Sequence, residues 1–166
     1  VTADQPEAPS YFGYDARMNR EQHPVLNDVV RNSLTPLSLQ AVLDHQHDGA
    51  QVLDVRNAVE YAGGHLKGSL NIGLGGKFAT WAGTVLNPKS SIVIIAEPGY
   101  EKEAIQRLGR IGFDGVLGYL KGGMQSLEVN PDVVQKVQRI TAQGLAERLT
   151  ASHPPMVVDV RSVKEW

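Results

Sequence analysis

The sequence predicts an α/β fold, a mostly parallel sheet with helices on both faces. Three observations carry this. Residues 51–55 and 92–95 are short apolar runs of the kind that fill buried strands. Each run is followed by a loop and then a helical pattern. Short strands alternating with helices in this way build parallel sheets rather than antiparallel meanders.

The elements follow in order. Residues 1–33 are polar and irregular, with Pro6, Pro9 and Pro24 and an aromatic knot at Tyr11-Phe12-Gly13-Tyr14, and read as a linker or the tail of an upstream domain. Thr35 is placed to cap a helix with Pro36 in its first turn, running to about His47 with Leu39, Val42 and Leu43 on one face. Residues 51–55 are a strand, 56–62 a short helix closed by Gly63-Gly64, and 69–72 a second extended piece. Residues 78–82 are helical, and Asn87-Pro88 marks a turn. The most apolar strand, 92–95, leads through Ala96-Glu97-Pro98-Gly99 into an amphipathic helix over 100–111, stopped by Gly112. Residues 115–120 form another strand, and Gly122-Gly123 opens a helical turn at 124–127.

The chain also repeats itself. Val52-Leu53-Asp54-Val55-Arg56, followed by Glu60-Tyr61, is echoed by Val157-Val158-Asp159-Val160-Arg161, followed by Glu165-Trp166. Thr35, Leu39 and Leu43 are echoed by Thr141, Leu145 and Leu149. The expected organisation is therefore a folded domain over 34–130 and the start of a second, truncated copy over 140–166. That start is expected either to pack on the first domain or to belong to a longer tandem protein.

Composition removes several function classes. The 166 residues include no cysteine, so disulfides, thiolate metal sites and cysteine nucleophiles are excluded. The net charge of −2 leaves no footprint for nucleic acid or an anionic membrane. No apolar run approaches spanning length. The opening Val1-Thr2-Ala3-Asp4 lacks an initiating Met and reads as a fragment boundary, and a cytoplasmic location is the default expectation.

The candidate site is the loop after residue 95. Strand, tight turn and helix N-terminus together turn free backbone N–H groups and the positive end of a helix toward one point, an anion cradle. Yet the loop holds no nucleophile and carries Glu97 and Glu101. Other polar residues have plainer readings. Asp54 and Arg56 brace the strand or orient the loop, since Asp159 and Arg161 repeat them. His65 reads as a hydrogen-bonded structural histidine. His45 and His47 do not share a helical face, so they make a poor metal pair. The run Gly73-Leu74-Gly75-Gly76-Lys77 lacks the Ser or Thr that a phosphate loop needs after its lysine. Glu101 at a helix start is a dipole partner before it is a catalyst.

These residues resemble the rhodanese (sulfurtransferase) homology domain over about residues 34–127. The resemblance rests on Leu53-Asp54-Val55-Arg56, on Gly64-His65-Leu66-Lys67-Gly68-Ser69-Leu70-Asn71-Ile72, on the apolar strand with its loop, and on Gly109 to Phe113 and Leu120 to Met124. It implies a central, mostly parallel five-stranded sheet between helices, and no cofactor. It also implies that the loop after the central strand opens, in active members, with a persulfide-bearing cysteine, flanked by cations that hold the anionic donor. Ala96 aligns with that cysteine, and Glu97 and Glu101 lie among the loop positions. The loop Ala96, Glu97, Pro98, Gly99, Tyr100, Glu101 is then vestigial, with Asp54, Arg56, Glu60 and His65 as its structural support. A binding, regulatory or structural role within a larger sulfur-metabolism protein follows.

The stretch from Pro9 to Arg20 further resembles the tail of a metallo-β-lactamase-fold domain of the persulfide dioxygenase type. That resemblance implies an upstream metal domain and a second rhodanese repeat as covalent partners. The alternative is that this chain is a fragment of an active hydrolase, dioxygenase or sulfurtransferase whose catalytic parts lie outside it.

Overall fold

The structure, a computed structural model, describes residues 26–161. Five parallel strands form the sheet: β1 (Pro36–Leu37), β2 (Gln51–Asp54), β4 (Leu70–Asn71), β5 (Ile92–Ile95) and β6 (Val116–Leu120), in the spatial order β1-β6-β5-β2-β4. A separate antiparallel pair joins β3 (His65–Leu66) to β7 (Val134–Gln135). The helices are α1 (Leu26–Ser33), α2 (Leu39–His47), α3 (Ala58–Gly63), α4 (Phe78–Val85), α5 (Glu101–Gly109) and α6 (Ala142–Leu149), with 3₁₀ turns at Gly123–Leu127 and Pro131–Val133.

The all-apolar β5 is central because both of its faces are covered. Ile92 and Ile94 enter a cluster with Val30 of α1, Phe78 and Ala82 of α4, and Ile105 and Leu108 of α5. Val93 and Ile95 enter a second cluster with Val42 of α2, Leu66, Leu120 and Leu127. The period-two alternation of a strand thus feeds two cores, one on each side of the sheet. Burying each of these isoleucines contributes about 1.5–3 kcal/mol.

Two expectations need correction. Residues 26–33 are helix, not irregular linker, and buried Val30 ties α1 into the first core. Thr35 caps no helix: its side chain donates to Asn32 O (3.1 Å), Pro36–Leu37 pairs with β6, and Ser38 caps α2 by accepting from Ala41 N. The free edge of β6 takes this segment first. Tyr119 N donates to Thr35 O and Lys121 N to Leu37 O. The pair β3–β7 was unforeseen, since two residues carry no periodicity. With Val137 N donating to Ala62 O (3.0 Å) and Lys67 N to Val133 O (2.9 Å), it ties residues 133–137 to the domain. Finally, no residue of α6 is buried, and residues 150–161 are all exposed. The segment from Tyr11 to Tyr14, and Glu165 and Trp166, lie outside the described residues.

Candidate functional site

The carboxyl ends of β2, β4 and β5 meet at one edge of the sheet, where loops to the following helices gather. Asp54 ends β2 and is wholly buried. Its Oδ1 accepts the backbone N–H and Nε–H of Arg56, both at 3.0 Å, and its Oδ2 accepts Nη2–H at 2.6 Å. Arg56 Nη2 also donates to Gly64 O (2.8 Å), closing the loop onto the end of α3. Asn71 of β4 donates from Nδ2 to the carbonyls of Asp54 (3.0 Å) and Arg56 (2.9 Å). This pair therefore faces inward, satisfied by the scaffold it holds.

His65 is also built in. Its Nδ1 lies 2.8 Å from Tyr61 O, and because a carbonyl only accepts, Nδ1 carries the proton. The ring stacks on Tyr61 at 3.8 Å between centroids, and Tyr61 OH donates to Ser69 O (2.5 Å). Glu60 lies in the first turn of α3, exposed, where Asn57 caps the helix by accepting from Val59 N and Glu60 N, both at 3.0 Å.

The loop after β5 departs from a free anion cradle. Ala96 is buried at its start, while Glu97, Pro98, Gly99 and Tyr100 are exposed. Tyr100 N donates to Glu97 O (3.0 Å), and Gly99 N donates to Glu101 Oε2 at 2.8 Å. The Glu101 carboxylate thus takes one of the N–H groups an incoming anion would need. Gly123 packs against the same loop. A Cβ there would lie 2.9 Å from Ala96 O, and its φ of 54° is one that only glycine adopts freely.

Beside the loop lies an open cleft of about 820 Å³. It is lined by residues 55–58 and Glu60, by residues 70–77, by Trp81 and Val85 of α4, and by Glu97 and Tyr100. Trp81 is 58% exposed and Tyr100 54%, large aromatic surfaces left to water. Sequence reading missed Trp81 and Val85, because a tryptophan and a valine on an amphipathic helix look like core. The signal was nearby: the glycine-rich run 73–77, set aside as a phosphate loop, lines this cleft. Arg107 of α5 holds that run by donating to Leu74 O, and its guanidinium lies 5.0 Å from the Phe78 ring centroid.

Asp159 and Arg161 repeat the local geometry of Asp54 and Arg56. Arg161 donates its backbone N–H to Asp159 Oδ1 (2.9 Å), Nε–H to Oδ1 (3.0 Å) and Nη2–H to Oδ2 (2.6 Å), but in the open. Asp159 consequently titrates below the ordinary aspartate value, first through the guanidinium and then through the backbone N–H. His45 and His47 lie in the last turn of α2, away from the cleft. Among the described residues no helix is long and apolar enough to cross a membrane.

Comparison with known proteins fits this geometry. A search of curated proteins found no match. Among solved structures, the chain is similar to a metallo-beta-lactamase from Staphylococcus aureus subsp. aureus COL (23% identity, TM-score 0.53, covering 73% of this chain and 33% of that one). It is similar to wild-type EanB (15% identity, TM-score 0.56, 83% and 36%) and to the Alr3790 protein from Anabaena sp. (21% identity, TM-score 0.53, 61% and 82%). At these identities the likeness is one of fold. The chain spans about a third of the first two proteins. The model of the Rhodanese-like domain family matches residues 38–129, more than half of the sequence and every strand of the parallel sheet except β1. The chain belongs to the rhodanese-like domain family.

Proposed function

We propose that this domain does not transfer sulfur and serves binding or assembly within a larger protein. The observation that carries the reading is the loop after β5: buried Ala96 where the family resemblance places the nucleophile, in a chain without cysteine. A methyl group cannot carry a persulfide. The Glu101 carboxylate on Gly99 N and the exposed Glu97 oppose a thiosulfate anion on top of that. Asp54, Arg56, Glu60 and His65 support the loop and its neighbours rather than act on a substrate.

A thiosulfate–cyanide assay tests this. The protein should give no turnover above background. Ala96→Cys alone should restore little, because the two carboxylates raise the thiol pKa and repel the donor. Ala96→Cys with Glu97→Arg and Glu101→Arg should exceed it by on the order of tenfold. Turnover by the unmodified chain, or full transfer by the single variant, would overturn the reading.

We further propose that residues 140–166 are the start of a second, truncated rhodanese-like repeat, a reading supported by the duplicated Asp159–Arg161 turn. A second reading is that the parent protein is an active hydrolase, dioxygenase or sulfurtransferase whose chemistry lies outside these residues. The partial overlap with the Staphylococcus aureus protein favours it. A metal-ligand motif before Val1, or a cysteine in the matching loop of the second repeat, would establish it.

A further inference from the structure

We propose that the cleft beside the β5–α5 loop binds an organic cation, a substituted ammonium, between Trp81 and Tyr100, with Glu97 and Glu60 supplying the charge. The inference rests on the reading above, that this site is for binding rather than sulfur transfer, and names the class of ligand.

Three observations converge. First, the cavity of about 820 Å³ is open and large enough for a small organic molecule. Second, Trp81 and Tyr100 line it with 58% and 54% of their surfaces exposed, and Val85 and Leu70, also exposed, extend the apolar lining. Aromatic faces carry negative potential and attract a weakly hydrated cation. Third, the charge of the lining runs the same way. Glu60 and Glu97 are exposed carboxylates, whereas among the described residues Lys77 is the one exposed cation lining the cleft. Arg56 also lines it, but its guanidinium is committed to Asp54 and to Gly64 O. An anion therefore meets two exposed carboxylates and a loop N–H already taken by Glu101. A substituted ammonium meets aromatic faces and carboxylates, and needs few directional hydrogen bonds from the walls.

The test uses choline and its neutral isostere 3,3-dimethylbutan-1-ol as probes, with thiosulfate as the anionic control, each titrated into the ¹⁵N-labelled full chain and followed by NMR. The Trp81 indole N–H, assigned by its loss in Trp81→Leu, and the amides of Gly75, Gly76 and Gly99 report on the cleft. Choline should give saturable shifts at these groups, with affinity about tenfold above the isostere. Glu97→Gln should lower choline affinity several-fold and leave the isostere unchanged. Trp81→Leu should lower both. No saturable shift with choline at high millimolar concentration, or equal affinity for the isostere, would overturn the cation proposal while leaving the absence of sulfur transfer intact. Saturable binding of thiosulfate at Gly99 would overturn the proposal as well, and turnover in the cyanide assay separately decides the reading it rests on.

Discussion

Asp54 with Arg56 and Asp159 with Arg161 close the same hydrogen-bonded turn in opposite surroundings. The first pair has side chains 0% and 5% exposed, the second 33% and 56%. Local spacing alone makes the turn, because an Asp two residues before an Arg can accept both its backbone N–H and its guanidinium. Burial sets what the turn is worth. Arg56→Met should destabilise the domain by about 3–5 kcal/mol, because it strands the Asp54 carboxylate in the core. Arg161→Met should leave the denaturation midpoint unchanged. The sign of the Asp159 shift gives a second readout. Its depressed value means the ionised form is held, so the turn's contribution is present above the ordinary aspartate value and fades as pH falls through the depressed one. In an NMR titration Arg161→Met should move the Asp159 midpoint upward. An Arg56 variant as stable as the parent would remove the bracing role.

At the scale of elements, β1 shows how an edge overrides local preference. Thr35-Pro36 carries a good helix-start signal, and its counterpart Thr141 does cap a helix, accepting from Gly144 N at 3.1 Å. Before α2, however, β6 offers free backbone groups, and Pro36–Leu37 pairs with them. That pairing depends on Gly118, where a Cβ would lie 2.4 Å from Thr35 O and 2.9 Å from Leu37 Cγ. Gly118→Ala should therefore separate β1 from β6 and cost on the order of 1–3 kcal/mol, read as a lowered urea midpoint and as faster amide exchange at Tyr119 and Lys121. Unchanged exchange there would show that the edge relaxes around the methyl group. Other elements needed no such context. The strand 92–95 and the apolar face Ala104, Ile105, Leu108 and Ile111 were legible because their periodicity is long or uniform enough to name one structure.

At the scale of the whole molecule, the described residues divide by burial. From Val30 to Leu127 the chain supplies two cores on one sheet, while α6 and the described residues after it include no fully buried residue. Met156, Val158 and Val160 stand 91%, 70% and 91% exposed, although Val157-Val158-Asp159-Val160 echoes the buried β2. A strand sequence alone does not make a strand; it needs neighbours to pair with and a core to enter. A chain ending after Arg139 should therefore keep the parent's melting temperature in calorimetry, since the described part of the removed segment holds none of the core. A fall of several degrees would mean that the residues after Arg139 contribute to the domain's stability.

By itself the sequence determined the family, the parallel α/β fold, the central strand and the absence of a cysteine nucleophile, because these rest on residue identity and on patterns several residues long. The tertiary structure alone decided that Glu101 closes onto Gly99, that Pro36–Leu37 is a strand, and that Trp81 faces a cleft with Tyr100. Each of these depends on which distant groups become neighbours, and a backbone N–H or an aromatic face is committed only once the fold has chosen its partner.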